Sequence, residues 1–230
     1  MRHGISKQNK RSLREWAVRI LLLFIGVTIA HFGVTLFLLS DLGSDPFNVM
    51  VQGTFRSLSS ATHLAFLTHG RMHILLCAVI IIVLLFVDRR YIKIGTFLCM
   101  IIGGPIIDVF TLLLAPLFRT TPSMAVRIGL VIIGCMILAC GMTIVINSDA
   151  GTGPNDLVSV VLADKLKKKF GIVRILTDIA FVLIGWLLGG TVGIGTLVCM
   201  FLVGLSADVF LPINKKLVAC AVSRFATTLK

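Results

Sequence analysis

The chain is short of charge, and shortest of acid. Only 14% of its 230 residues are Asp, Glu, Lys or Arg, and ten acids stand against twenty-two bases. Soluble proteins carry about 25% charged residues. With 57% apolar residues the chain cannot cover a water-facing surface, which excludes an ordinary soluble domain and indicates an integral membrane protein. The six cysteines (Cys77, Cys99, Cys135, Cys140, Cys199 and Cys220) form no CxxC pair and have no histidine cluster beside them. We read them as small buried side chains, with no metal site and no structural disulfide. Walker, GxSxG and HExxH motifs are missing, so nothing argues for an enzyme or for a bound cofactor.

What the chain does have is long apolar runs. Six can cross a bilayer: 17–39, 72–87, 93–118, 125–147, 172–189 and 193–212. The first follows a basic N-terminus and resembles a signal peptide, but it is too long and lacks a cleavage site; it is read as a retained helix. Two further segments, 44–60 and 152–166, are only partly apolar. Each opens with a proline, Pro46 or Pro154, a helix-start signal.

These segments repeat. A shift of 108 residues lays 17–46 on 125–154 with fourteen of thirty positions identical. The matches include Arg19 on Arg127, Gly26 on Gly134, Gly33 on Gly141, Ser40-Asp41 on Ser148-Asp149, Gly43 on Gly151 and Pro46 on Pro154. A shift of 100 lays Ile94-Gly95-Thr96 on Ile194-Gly195-Thr196 and Asp108-Val109-Phe110 on Asp208-Val209-Phe210. Shared apolar composition does not align Gly, Pro, Asp and Thr in order. The expected architecture is an all-α polytopic membrane protein built from two homologous repeats, each with three transmembrane helices and a short re-entrant helix. Its divisions are a basic N-terminus (1–16), repeat 1 (17–118), a connector (119–124), repeat 2 (125–212) and a basic C-terminus (213–230).

Three crossings per repeat invert the second repeat relative to the first. If both termini are cytoplasmic, the inner flanks, including 164–174, hold eighteen of the twenty-two bases. This spread over flanks argues against a nucleic-acid face. An eight-crossing arrangement with two parallel repeats satisfies the charge count equally well; it places Arg89 outside. The polar side chains of segment 44–60 favour the six-crossing form.

Seven acids fall within apolar segments or the repeated Gly/Pro turns. The turns, Ser40–Asn48 and Ser148–Asp156, combine flexible glycine, capping Asp or Ser and a helix-starting proline. Broken helices at matching places in two repeats point to a transporter's binding site. Asp41, Gly43, Asp45, Asn48, Asp149, Gly151, Asn155 and Asp156 are therefore the candidate substrate contacts. The bland alternative is that the turns sit at the membrane surface and cap helices. Asp178, with Cys77 at the matching place, is read as a proton or cation relay or as the interior partner of Arg174. Asp108 and Asp208 either line the repeat interface or cap neighbouring helices. His31 is read first as a hydrogen-bonded interior histidine and second as a proton carrier. The four glycines at 26, 33, 134 and 141 let helices approach closely.

On the paired turns and the repeated IGT..CM...G...DVF strings, the chain resembles the YczE/YyaS/YitT family of bacterial integral membrane proteins, over about 15–213. The resemblance is to its YczE-like branch, since no soluble domain follows Lys230. It implies the bacterial cytoplasmic membrane and assigns no substrate contacts. The function expected from the residues is a secondary permease for a small polar or zwitterionic metabolite, held between the repeats. A membrane scaffold or regulatory partner and a small channel are the alternatives. The expected surroundings are the lipid bilayer, and the sequence leaves a homodimer open.

Overall fold

In the computed structural model, residues 12–62, 69–118 and 123–227 are described, and their regular structure is entirely helical. The helices are α1 (Leu13–Leu39), α2 (Pro46–Thr62), α3 (His69–Asp88), α4 (Ile94–Leu114), α5 (Met124–Ser148), α6 (Pro154–Leu166), α7 (Phe170–Leu187) and α8 (Ile194–Thr227). Six stretches, corresponding to all but α2 and α6, are long and apolar enough to cross a bilayer. Large apolar side chains such as Leu112 and Leu187 lie largely exposed on them, as a lipid-facing surface requires. The chain is a multi-pass membrane protein.

The centre of the fold is the pair α1 and α5. Arg19, in the second turn of α1, donates to the carbonyl of Ser148 at the end of α5 (2.9 Å). Arg127, in the first turn of α5, donates to the carbonyl of Ser40 at the end of α1 (2.6 Å). The two helices therefore run in opposite directions. Each arginine also meets the negative end of a helix dipole, a contact of roughly 0.3–1 kcal/mol at a surface. Glycine sets the spacing between them: a Cβ at Gly33 would lie 2.5 Å from the Gly134 carbonyl oxygen, and one at Gly26 would lie 2.9 Å from that of Gly141. Backbones this close gain dispersion contacts that any larger residue would prevent.

The turns after α1 and α5 tie the halves together in the same crossed manner. Gly95 N–H, at the start of α4, donates to the Ala150 carbonyl (3.0 Å), and Gly195 N–H, at the start of α8, to that of Leu42 (2.9 Å). Gly43 and Gly151 adopt φ of 138° and 144°. A side chain there would be strained and would strike Thr196 or the Gly95–Thr96 backbone.

Two expectations change. Arg174, counted above among the cytoplasmic flank residues, is buried inside α7. The C-terminal segment is not a loose tail after 212, because α8 continues through Pro212. Asn147 Nδ2 reaches the Leu211 carbonyl (3.2 Å), and Asn214 Nδ2 reaches Thr143 Oγ1 (2.7 Å) and the Cys140 carbonyl (3.0 Å), one and two turns earlier in α5. The buried Asn214 and Val218 anchor the stretch beyond Pro212.

Candidate functional site

The repeated turns separate into two tiers. The outer tier is used up in building the fold. Asp41 and Asp149 close α1 and α5 in left-handed conformation, with φ of 52° and 56°. The Asp41 side chain is 96% exposed and pairs with Arg127 (3.0 Å); that of Asp149 is 43% exposed and pairs with Lys93. Gly43 and Gly151 pack against the helix starts of the opposite half. These four residues were expected among the substrate contacts. The structure instead engages them in capping and in joining the halves, because the αL turn that ends each helix turns the Asp side chain outward to a neighbouring base.

The inner tier begins where α2 and α6 start. Asp45 caps α2, accepting from the Asn48 N–H (3.2 Å) and the Asn48 side-chain amide (2.5 Å). On α6, the Asn155 amide donates to Asp156 Oδ1 (3.2 Å), and the same oxygen binds Arg174 Nη1. Arg174 Nε donates in turn to Asp178 Oδ2 (2.9 Å). Below this row, Thr177 donates to the Arg174 carbonyl, and its hydroxyl lies 2.6 Å from that of Ser159 on α6. The outcome is a carboxylate–guanidinium–carboxylate row across the α6–α7 contact, with Asp178 halfway along α7.

Charge is unbalanced here. One guanidinium serves two carboxylates, and Asp45 and Asp156 both act electrostatically on Asp178. Asp178 is 0% exposed, and its Oδ1 has no hydrogen-bond partner among the described residues. A buried charged group missing a partner costs more than the roughly 1–3 kcal/mol of a neutral one, so such an atom needs a role. His31 lies within electrostatic range of Asp45 and Asp156. Its Nδ1 is 2.7 Å from the Val27 carbonyl, which makes Nδ1 the donor and leaves Nε2 facing Gly103, where any Cβ would collide with it at 2.6 Å. Asp208 accepts from the Gly171 N–H (2.7 Å) and so caps α7. Asp108 is exposed on α4 and makes no hydrogen bond or ion pair among the described residues. The structure thus brings Asp45, Asn48, Asn155, Asp156, Asp178 and His31 toward one region and leaves Asp41, Asp149, Asp108 and Asp208 apart from it.

Residues 17–212 match the family of unknown function DUF6198. The chain belongs to the DUF6198 family. It is similar to the uncharacterized membrane protein YczE of Bacillus subtilis strain 168, 28% identical over 219 residues, spanning 94% of this chain and 96% of that one. An uncharacterized protein of Haemophilus influenzae is 28% identical over 198 residues, covering 86% and 85% of the two chains. YyaS of Bacillus subtilis strain 168 is 25% identical over 194 residues, covering 84% and 92%. This member of DUF6198 is therefore a YczE/YyaS-like membrane protein. No solved structure matches it.

The sequence reading missed the bond between Asp156 and Arg174, eighteen residues apart. A signal existed. A shift of 101 residues lays Arg174 on His73 as well as Asp178 on Cys77, and the 108 shift lays Asp156 on Asn48. The second half thus holds two carboxylates and a guanidinium where the first holds Asn, His and Cys. Three changes of that kind at once indicate one constellation.

Proposed function

We propose that this protein is a secondary permease for a small polar or zwitterionic metabolite carrying a positive group, in a bacterial cytoplasmic membrane with both termini inside. In this reading its halves are inverted repeats, and α2 and α6 are re-entrant helices whose starts lie at membrane depth. The opposed directions of α1 and α5 and the crossed turn contacts support the inversion. The observation that carries the function is the Asp156–Arg174–Asp178 row, one positive charge short, with Arg174 and Asp178 buried and Asp178 Oδ1 unpartnered among the described residues. Ionisable groups at membrane depth mark substrate or ion pathways.

An ammonium group of the cargo, or a coupling proton, would take the place beside Asp178 Oδ1. The starts of α2 and α6 present backbone N–H groups and positive dipole ends that suit a cargo carboxylate. Asn48 and Asn155 would orient it. Arg174 would serve as the internal counter-ion when the seat is empty, keeping the carboxylates from repelling one another. Departure of cargo would return Asp178 to Arg174 alone.

The test is a melting-shift panel. The purified protein is heated with each of the twenty common amino acids, with simple primary and quaternary amines, and with simple carboxylates. We expect stabilisation by some members that carry both charges, and none from amines or carboxylates lacking the other charge. Equal melting across the whole panel would count against a cargo seat.

A further inference from the structure

A cleft of about 690 Å³ lies where the ends of α5 and α6 meet the start of α7 and the Asp208–Leu211 stretch of α8. Its walls are apolar, from Ile146, Val160, Phe170 and Leu211. Lys167, Lys168 and Lys169 line it too, all three exposed. Its two acids are already engaged, Asp164 by the Tyr91 hydroxyl and Asp208 by the Gly171 N–H. The three lysines make no ion pair among the described residues, and set against the two carboxylates of the same cleft they leave it a net positive charge.

The cleft shares a side of the molecule with the start of α1 and the turn after α3. Arg19 reaches Ser148, Lys93 reaches Asp149, and Lys165 Nζ lies 3.4 Å from the Val87 carbonyl. The lysines were not inherited with the duplicated unit: 108 residues earlier the chain reads Ser59-Ser60-Ala61. Net positive charge beside an apolar wall suits a ligand that is anionic at one end and hydrocarbon at the other. A soluble anion would make no use of the wall, and a zwitterionic lipid would not use the excess charge.

We infer that this cleft binds one anionic phospholipid from the adjoining leaflet, its phosphate on Lys168 and Lys169 and an acyl chain along Val160, Phe170 and Leu211. Basic pockets between helices at this level bind anionic headgroups. Lysine meets phosphate as a point charge and needs no fixed fork geometry.

Native mass spectrometry of the full chain in detergent, titrated with phosphatidylglycerol or with phosphatidylcholine of the same acyl chains, tests this. At about the strength per lysine known for anionic membrane surfaces, the two lysines make wild type prefer phosphatidylglycerol by about thirtyfold. Lys168→Gln with Lys169→Gln brings the two lipids to near parity. Arg14→Gln with Arg89→Gln removes the same charge from the same side, away from the cleft, and keeps the preference. The wild-type comparison needs no variant to fold, and its failure to favour phosphatidylglycerol would overturn the site. Equal loss in both double variants would do the same by showing only diffuse attraction. So would displacement of the lipid by millimolar inorganic phosphate, which would make it a soluble-anion site.

Discussion

Arg174 and Asp178 lie one helical turn apart on α7, and both are buried. Removing one member of a buried ion pair leaves the other charge uncompensated, at roughly 3–5 kcal/mol. Arg174→Met leaves Asp156 and Asp178 facing each other without a cation and should destabilise the protein by about that much. Asp178→Asn has the opposite character: it leaves one cation with one anion and puts a neutral amide nitrogen in place of the partnerless carboxylate oxygen. Its melting temperature should equal or exceed that of wild type. Scanning fluorimetry of the two purified variants would check the order, and an Asp178→Asn protein as unstable as Arg174→Met would mean that the row is already balanced. The i,i+4 spacing of this pair was legible in the sequence. The bond to Asp156 was not, because it depends on how α6 lies against α7, and local spacing carries no information about that.

Among the elements, α1 and α5 show how small residues set a helix pair. Gly33→Ala would place a methyl group 2.5 Å from backbone atoms of α5, which cannot rotate away. The helices must separate, at a cost of about 1–3 kcal/mol for overpacking. Gly104 on α4 has nothing within 4 Å of its added Cβ, so Gly104→Ala should be neutral or stabilising by up to about 1 kcal/mol. Thermal unfolding of the pair of variants separates packing from propensity. Helix starts at Pro46 and Pro154 and the close glycine faces were readable in advance, since they are local signals. The continuation of α8 past Pro212 was not. Proline and Lys215-Lys216 suggest a stop, while the buried Asn214 that holds the extension finds its partners on another helix, at Cys140 and Thr143. The repeated turns were recognised as special, but their outer residues, Asp41 and Asp149, cap and clasp, and only the residues one turn further in gather toward Asp178.

At the scale of the whole molecule, the crossed contacts of the two halves bear on topology. Arg19 with Ser148 and Arg127 with Ser40 are the same contact under the repeat shift, made in both senses. Two halves sharing one direction would have placed α1 and α5 in parallel. The turn at Arg89 lies on the side of the start of α1, and the turn at Thr191, bonded to Gln52 beside Arg56, lies with the other end. In a background without the six native cysteines, Arg89→Cys should react with an impermeant maleimide only after the cells are opened, and Thr191→Cys should react in intact cells. Labelling of both from outside would contradict the inversion.

The central claim is that the carboxylate row around Asp178 receives a moving positive charge. Proteoliposome flux, followed as internal pH and labelled-cargo uptake for a compound that stabilises the protein, tests it most directly with wild type beside Asp178→Asn. The account predicts saturable flux in wild type and none in Asp178→Asn, although the variant is as well folded. Undiminished flux through Asp178→Asn would place the pathway elsewhere.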